Sequence, residues 1–297
     1  MRFKEPLLIL FAAPLFWAFG CGDSEPFSYQ LRPTEGISYK AEDTIETNIQ
    51  INAPSGALQV FEQRKIEGKI LFKKEKDGTL GTYNGASQKA TSSESGRPTI
   101  IIGSRRLRHS ASFTFKADES GNIVQPPPIQ ALIESSLAKT PARPKSERAD
   151  FSVDLFLIFS MKTYQTSQRF LHIPPGKREV GDVWNVQLEP MPGVQTSVKC
   201  ALEKRSGGKA LIEAHGLLKA VGPVHMAFAG APQFEAQYRN MQGTYRANYT
   251  IDEKTGLLVN YKARTELQAD LETTLEDGTF ASIPLLMEVE AKGKLSD

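Results

Sequence analysis

Period-two alternation between Leu257 and Leu275 constrains the fold of this 297-residue chain more than any other feature. The odd positions are apolar or small: Leu257, Val259, Tyr261, Ala263, Thr265, Leu267, Ala269, Leu271, Thr273 and Leu275. The even positions from Asn260 to Glu272 are polar or charged. This pattern is typical of a strand with one buried face. A slip of one residue would bury Lys262, Arg264 and Asp270, so the odd face is predicted to point at an apolar interior.

The length of this run predicts how its sheet bends. At roughly 3.3 Å per residue a straight run would span on the order of 60 Å, whereas ordinary strands have about five or six residues. The sequence Glu276-Asp277-Gly278 predicts a turn, and the return run from Ile283 to Ala291 alternates again. We therefore expect a mainly β protein with a large curved antiparallel sheet, either half-barrel-like or a sandwich.

Further strands are predicted upstream by the same signals. The alternating runs cover residues 45–51, 66–72, 107–115, 194–202 and 210–214. Turns are predicted at Lys76-Asp77-Gly78 and Arg205-Ser206-Gly207-Gly208, and a polar loop at 89–98.

The middle of the chain has a different pattern. Residues 129–137 follow three prolines with the spacing of a short helix, and 152–164 fits a second helix or a core strand. The predicted organisation is a single β-rich domain over 27–297. The alternative is two β halves, 27–125 and 170–297, joined by a helical segment 126–169.

The two halves contain a similar hairpin. Phe113-Thr114-Phe115-Lys116 leads through Ser120-Gly121 to Ile123-Val124, and Tyr249-Thr250-Ile251-Asp252 leads through Thr255-Gly256 to Leu258-Val259. Duplication of a β half would explain the similarity, but ordinary hairpin chemistry produces it as well.

The N-terminus has the pattern of an export signal. Arg2 and Lys4 precede an apolar core from Leu7 to Phe19 that is too short for a bilayer-spanning helix, which needs about twenty residues. Polar residues follow Cys21 directly. Residues 1–20 are predicted to be a signal peptide and 21–26 a short tether.

The cleavage region Ala18-Phe19-Gly20-Cys21 resembles the lipobox of bacterial lipoproteins. The resemblance implies cleavage before Cys21, with diacylglycerol on its thiol and a fatty acyl chain such as palmitate. It also implies anchoring in the bacterial cell envelope, with the periplasmic face of the outer membrane favoured over the inner membrane. The alternative is an ordinary signal peptide whose cysteine is accidental.

Charge and cysteine content do not favour a nucleic-acid partner or a catalytic thiol. The chain has 36 Lys and Arg against 34 Asp and Glu, so its balance does not favour nucleic acid as a partner. With Cys21 acylated, Cys200 is the only remaining thiol and no intramolecular disulfide can form. Cys200 alternates with Val198 and Leu202, which predicts a small core residue rather than a nucleophile.

No motif for catalysis or cofactor binding is present. The four histidines, His109, His172, His215 and His225, lack metal-ligand spacing, although His215 and His225 could meet across a hairpin. There is no nucleophile elbow and no phosphate-binding glycine loop. We expect no catalytic residue, no metal and no cofactor, and a protein that is not an enzyme.

The segments 171–190 and 243–261 resemble a group of uncharacterised bacterial envelope lipoproteins. The matching residues are Val180, Gly181, Asp182 and Trp184 in one turn, and Asp252, Thr255 and Gly256 in the other. The resemblance implies a β-rich envelope lipoprotein and no particular reaction. Gly181 suits a positive φ, Asp182 suits backbone hydrogen bonds, and Trp184 is predicted to be a core anchor rather than a ligand-stacking surface.

Three functions remain open. The first is a lipid-anchored, non-enzymatic lipoprotein that binds an apolar ligand or lipid on a concave sheet, at residues that the sequence does not identify. Small residues on the odd face, such as Ala263 and Ala269, suit a cavity or a covering helix equally. The second is a structural or assembly factor that binds another envelope protein through a strand edge. The third is a hydrolase, ranked last because no nucleophile motif is present.

Overall fold

The computed structural model describes most of the β-rich part of the chain. The described residues are 26–53, 56–95, 110–125, 128, 131, 132, 135, 173, 176–191, 194–220, 222–226, 236–274 and 278–297. Cys21, His109, His172 and nearly all of the two predicted helices lie outside them. In these ranges there is no helix with the length and hydrophobicity needed to cross a bilayer.

Fourteen strands make up this part of the chain. They are β1 (Phe27–Ser28), β2 (Ser38–Ala53), β3 (Gly56–Glu75), β4 (Gly78–Ser95), β5 (Ser110–Ala117), β6 (Ile123–Gln125), β7 (Lys177–Arg178), β8 (Val183–Met191), β9 (Val194–Ser206), β10 (Lys209–Ala220), β11 (Val224–Met226), β12 (Ala236–Asp252), β13 (Leu258–Thr274) and β14 (Phe280–Ser296). The long strands confirm the prediction of a mainly β protein.

Twelve of the strands form one antiparallel sheet that does not close. Its order is β6-β5-β4-β3-β2-β14-β13-β12-β10-β9-β8, with β11 added beside β12. The small strands β1 and β7 pair separately. The two β halves considered from sequence contribute to this one sheet and meet where β14 pairs with β2, so the first long strand lies beside the last.

One face of the sheet is buried and the other is exposed, and we call them the inner and the outer face. On β13 the buried positions from Tyr261 onward are odd-numbered and include Ala263, Leu267 and Ala269, whereas Lys262 and Arg264 are exposed. The predicted orientation of this strand is confirmed. The same alternation on β14, β2 and β3 makes the inner face continuous across the middle of the sheet.

Several predicted turns are present, and one predicted loop is wrong. The hairpin at Gly207 and Gly208 has φ values of 59° and 69°, and Gly78 ends the turn between β3 and β4. The polar loop predicted for 89–98 is instead strand up to Ser95, because its backbone pairs with β3 from Gln59 to Lys65. Pairing with a long neighbouring strand outweighed the weak strand propensity of the lysine, alanine and glutamate and the turn-like pattern of the serines.

Candidate functional site

The inner face carries a row of small side chains that crosses five neighbouring strands. Ala291, Ala263, Ala247, Ala214 and Cys200 are successive cross-strand partners on β14, β13, β12, β10 and β9. All five are almost completely buried. With strands about 4.8 Å apart, the row is about 19 Å long. We call it the alanine row.

A large side chain stands at each end of the alanine row. At one end Cys200 pairs with Trp184 of β8, which is buried as predicted. At the other end Ala291 pairs with Ile45 of β2, and Ile45 pairs with Arg64 of β3. The row is therefore bordered by larger side chains at both ends, and we call this strip of small side chains the trough.

Arg64 and Glu62 form that charged pair on the inner face of β3. Arg64 Nε contacts Glu62 Oε1, and Arg64 Nη2 donates to Glu62 Oε2 at 2.9 Å. Each residue has no more than 5% of its surface exposed. Moving two charges out of water costs free energy, which offsets most of their mutual attraction. The pair therefore adds little net stability, and it places a polar group at a defined point in the interior.

Tyrosines stand on both sides of the trough, with Tyr249 and Tyr261 paired on one side of it and Tyr245 on the other. Tyr261 extends across Gly293 and donates to the buried carboxylate of Asp43 at 2.9 Å. A Cβ at Gly293 would lie 2.2 Å from both Asp43 Oδ1 and Tyr261 Cε1. The hydroxyls of Tyr245 and Tyr249 on β12 also share a hydrogen bond. Strands β2, β14 and β13 are thus joined by a polar contact that only glycine permits.

Cys200 in the alanine row is a core residue, as predicted. Burial raises the pKa of its thiol to about 11, although the nearby Arg178 opposes this shift. A thiol with this pKa is protonated at neutral pH and is a poor nucleophile. The arrangement supports a structural role for Cys200.

The Val180-Gly181-Asp182 turn fixes Trp184 at the end of the trough. Gly181 has the predicted positive φ, at 96°, and its N–H donates to the Leu202 carbonyl at 2.8 Å. The Asp182 carboxylate accepts from the Glu179 N–H at 2.8 Å. The Arg178 guanidinium lies 4.4 Å above the Trp184 ring, within cation–π distance. Within the described part of the chain, the buried indole Nε1 has no hydrogen-bond partner.

Residues outside the sheet help to cover the inner face. Phe27, Tyr29 and Ile173 are buried in the same apolar cluster as the alanine row. Burial raises the pKa of the Tyr29 hydroxyl to about 12. The segment after the predicted tether is therefore part of the interior.

The two similar hairpins recognised in the sequence hold this N-terminal segment. The Leu31 N–H donates to the Gly121 carbonyl at 2.9 Å, and the Arg32 N–H donates to the Thr255 carbonyl at 2.7 Å. A Cβ at Gly121 would lie 2.6 Å from Leu31 N, and one at Gly256 would lie 2.1 Å from Gln30 O. We call these two turns the clasp. The sequence showed both turns but gave no sign of what lies between them.

Each turn of the clasp is shaped by an aspartate. Asp252 Oδ1 accepts from the N–H and the hydroxyl of Thr255, at 2.8 and 2.7 Å. Asp118 Oδ1 accepts from the Asn122 N–H at 2.9 Å, and hydrogen bonds from Asn122 hold the pKa of Asp118 below its usual value. The D-x-x-T-G turn is thus explained by backbone geometry and needs no catalytic role.

The outer face carries a groove of about 640 Å³. Its polar lining includes Asn48, Gln50, Gln242, Gln268, Glu266 and Glu288, and its exposed apolar residues are Leu217 and Leu286. Arg264 Nη2 contacts both Glu266 and Glu288 at 2.8 Å, which offsets their charge. No sequence pattern indicated this groove, because it depends on how five strands, β2, β10, β12, β13 and β14, align side by side.

The structure separates the two histidines that could have shared a metal. His215 on β10 lies opposite Arg246 and contacts Glu213 at 3.0 Å. His225 on β11 lies opposite Gln237, near the other end of β12. In the described ranges, no cluster of three His, Cys, Asp or Glu side chains could hold a metal ion.

Comparisons with solved structures give only distant likenesses. Lipovitellin, from a structure titled lipid–protein interactions in lipovitellin, has 14% identity and a TM-score of 0.44, with 89% of this chain and 25% of that chain covered. OccK5 of Pseudomonas aeruginosa has 7% identity and a TM-score of 0.28, with 89% and 99% covered.

A putative outer membrane lipoprotein-sorting protein domain from Vibrio parahaemolyticus has 10% identity and a TM-score of 0.15, with 86% of this chain and 83% of that chain covered. These scores carry no functional argument.

No curated protein sequence matches the chain. One family does match, over residues 81–258, which is more than half of the sequence. The chain belongs to this family, which is described as a family of unknown function (DUF6263).

Proposed function

We propose that this protein is a lipid-anchored bacterial envelope lipoprotein that binds an apolar ligand along the alanine row and has no catalytic activity. The observation that carries the ligand proposal is the row itself. Five small buried residues in register form a strip about 19 Å long whose own side chains rise little above the sheet. An acyl chain in a leaflet spans about 15 Å, half of a hydrocarbon core of about 30 Å.

The polar groups at the borders of the row suit an amphiphile better than a pure hydrocarbon. Arg64 and Glu62 lie beyond one end, and Arg178 lies above Trp184 at the other. The residues between them are apolar. A fatty acid or phospholipid acyl chain fits this order of groups, with its head at one end of the trough. Phe27, Tyr29 and Ile173 cover part of this face. A ligand that enters must therefore displace some of these side chains.

Native mass spectrometry of protein purified from membranes tests the ligand. We expect a non-covalently bound lipid with wild-type protein and its loss in Ala247→Trp, because the indole fills the middle of the row. Asn248→Trp is the matched control, since position 248 is the exposed neighbour on β12. Wild-type protein without bound lipid, or Ala247→Trp that unfolds, would show that the inner face is packed by the chain itself.

The anchor is tested separately. The apolar core from Leu7 to Phe19, followed by Gly20-Cys21, supports lipidation of Cys21. The proposed location is the periplasmic face of the outer membrane. Cys21→Ser should release the protein from membranes or leave an unprocessed precursor. A Ser variant that stays membrane-bound with a normally trimmed N-terminus would contradict the anchor and leave the ligand proposal standing.

A second candidate function is assembly with another envelope protein, and the outer groove favours it. Leu217 is 73% exposed in that groove, and an aliphatic side chain of this exposure beside amide groups suits an extended peptide. Leu217→Asp should abolish capture of a periplasmic partner without changing lipid content. Ala247→Trp should give the opposite result, with lipid lost and partner capture retained, so the two variants distinguish the two functions.

A further inference from the structure

The described part of the chain begins close to the proposed lipid. Pro26 is five residues after Cys21. An extended chain covers at most about 3.6 Å per residue, so Pro26 lies within about 18 Å of the acylated cysteine. The next residues, Phe27 and Ser28, pair with Arg178 and Lys177 of β7. If Cys21 is anchored in a bilayer, β1 and β7 are held near its surface.

The surface beside β7 carries two exposed apolar side chains among charged ones. Val180 and Val183 flank the turn that directly follows β7, and they are 56% and 50% exposed. The charges in this segment balance, because Lys177 and Arg178 are matched by Glu179 and Asp182. A neutral surface with two exposed valines suits contact with lipid through apolar side chains rather than through charge attraction.

The turn that carries the valines is rigid. Gly181 and Asp182 are tied to Leu202 of β9 by backbone hydrogen bonds of 2.8 and 3.0 Å. Arg205 of β9 in turn pairs with Glu253 beside the clasp at 2.6 Å. The turn therefore belongs to one end of the sheet, together with the Gly207-Gly208 hairpin and the two turns of the clasp. We call this the clasp end.

We propose that Val180 and Val183 form a membrane-contacting patch that rests the clasp end on the phospholipid surface holding the Cys21 lipid. This inference depends on the proposed lipid anchor. It commits to phospholipid as the occupant, because the tether length and the pairing of Phe27 with Arg178 bring this surface, and not the outer groove, to the bilayer. The long axis of β14 then points away from the membrane.

A fluorescent label compares the two ends of the sheet. The protein used is the full lipidated chain with Cys200→Ala, reconstituted in vesicles of phosphatidylethanolamine and phosphatidylglycerol. The label is placed on Val180→Cys or on Phe280→Cys. Phe280 is the matched control because it is 64% exposed and begins β14 at the opposite end. Seventeen residues of strand separate that end from Ser296, about 55 Å at 3.3 Å per residue.

The expected result is reciprocal quenching. Doxyl-labelled lipid should quench the label at 180 several-fold more than the label at 280, and aqueous iodide should quench them in the opposite order. A second variant, Val183→Asp in the Val180→Cys protein, should restore iodide quenching at 180 while vesicle flotation remains normal. Because Val180 and Val183 are both exposed, neither Val180→Cys nor Val183→Asp should affect folding.

Three results would overturn the proposal. Equal iodide quenching at both positions means that the clasp end does not touch lipid, although flotation still supports the anchor. Protection at 180 without doxyl quenching means that protein and not lipid covers the patch. Failure of the wild-type chain to float with vesicles removes the anchor and this inference together.

Discussion

At the scale of single residues, Gly293 shows how closely the middle strands approach. Its missing side chain lets Tyr261 reach from β13 to Asp43 on β2, across the intervening β14. Glycine weakens a strand because it adds backbone entropy and no packing. Here that cost is offset by a buried hydrogen bond between strands that are not adjacent.

Gly293→Ala should therefore lower the free energy of unfolding by about 1–3 kcal/mol, the usual cost of overpacking. The added Cβ would lie 2.2 Å from atoms of both Asp43 and Tyr261, so one of them must move. Urea denaturation followed by circular dichroism measures the change. Lys292→Ala on the exposed face is the control and should stay within about 0.5 kcal/mol of wild type. Equal midpoints for both variants would contradict the contact.

Cys200 should make stability depend on alkaline pH. Its pKa is raised from 9.0 to about 11 by burial, so the unfolded chain releases this proton first. The stabilising contribution is complete below pH 9 and is lost as pH rises to 11, by about 3 kcal/mol for two pKa units. Tyr29 acts in the same direction from pH 10 to about 12.

Denaturation curves at pH 8 and pH 11 test this. Cys200→Ala should be slightly less stable than wild type at pH 8, because a buried atom is lost, and should fall less between the two pH values. The stability of each protein at pH 11 is compared with its own stability at pH 8, so the cost of the cavity left by Cys200→Ala cancels. A parallel decline for the two proteins would mean that the thiol is solvated in the folded state.

At the scale of elements, β13 places its odd-numbered residues on the inner face and its even-numbered residues on the outer face from Tyr261 onward. Ala269 is buried at the inner face, and its neighbour Gln268 is exposed. Ala269→Asp should cost about 3–5 kcal/mol, as an uncompensated buried charge does, whereas Gln268→Asp should cost at most about 0.5 kcal/mol. Thermal unfolding of the two variants gives the comparison. A mild effect of Ala269→Asp would mean that water reaches the inner face.

The clasp offers a test in which backbone strain is matched. Gly256 and Gly207 have φ values of 68° and 59°, so alanine is strained equally at both. Only Gly256 is crowded, with Gln30 O at 2.1 Å from its Cβ position, while Gly207 has open space. Gly256→Ala should raise amide exchange at residues 27–32 more than tenfold beyond Gly207→Ala. Equal exchange in both variants would show that the clasp does not hold the segment.

Sequence alone predicted what depends on near neighbours in the chain. The parity of β13, the positive φ of Gly181 and the buried Trp184 follow from alternation and turn chemistry, which act over a few residues. The alanine row could not be predicted, because it depends on the exact register of four strand pairs. The clasp could not be predicted, because its two turns contact a segment that lies far earlier in the chain. Residues 89–95 were assigned to a loop because their propensity is low, and pairing with β3 overrode it.

At the scale of the whole molecule, the seam between β2 and β14 joins the two parts of the sheet. β14 is a central strand, with β13 on one side and β2 on the other. Removal of an edge strand would shorten the sheet, whereas removal of β14 divides it and exposes Val289 and Ala291 of the inner face with their neighbours. Stability should therefore depend on the last residues of the chain.

A chain that ends at residue 279 should lack cooperative unfolding and be digested rapidly by protease. The control ends at residue 296 and loses only the final aspartate, which follows β14. Limited proteolysis and thermal scans of both chains provide the measurement. A cooperative transition in the shorter chain would mean that the two parts of the sheet fold independently.

The pairing of the first long strand with the last has a consequence for when the protein can fold. Ribosomes add roughly 5–20 residues per second, so β2 waits on the order of ten to fifty seconds before β14 has been made. Until then the centre of the sheet is missing, and we expect no stable fold. A chain that must be threaded through a secretion pore needs to stay unfolded for the same interval. Strand order thus delays folding until the final segment has been synthesised, which is the timing that the proposed export would require.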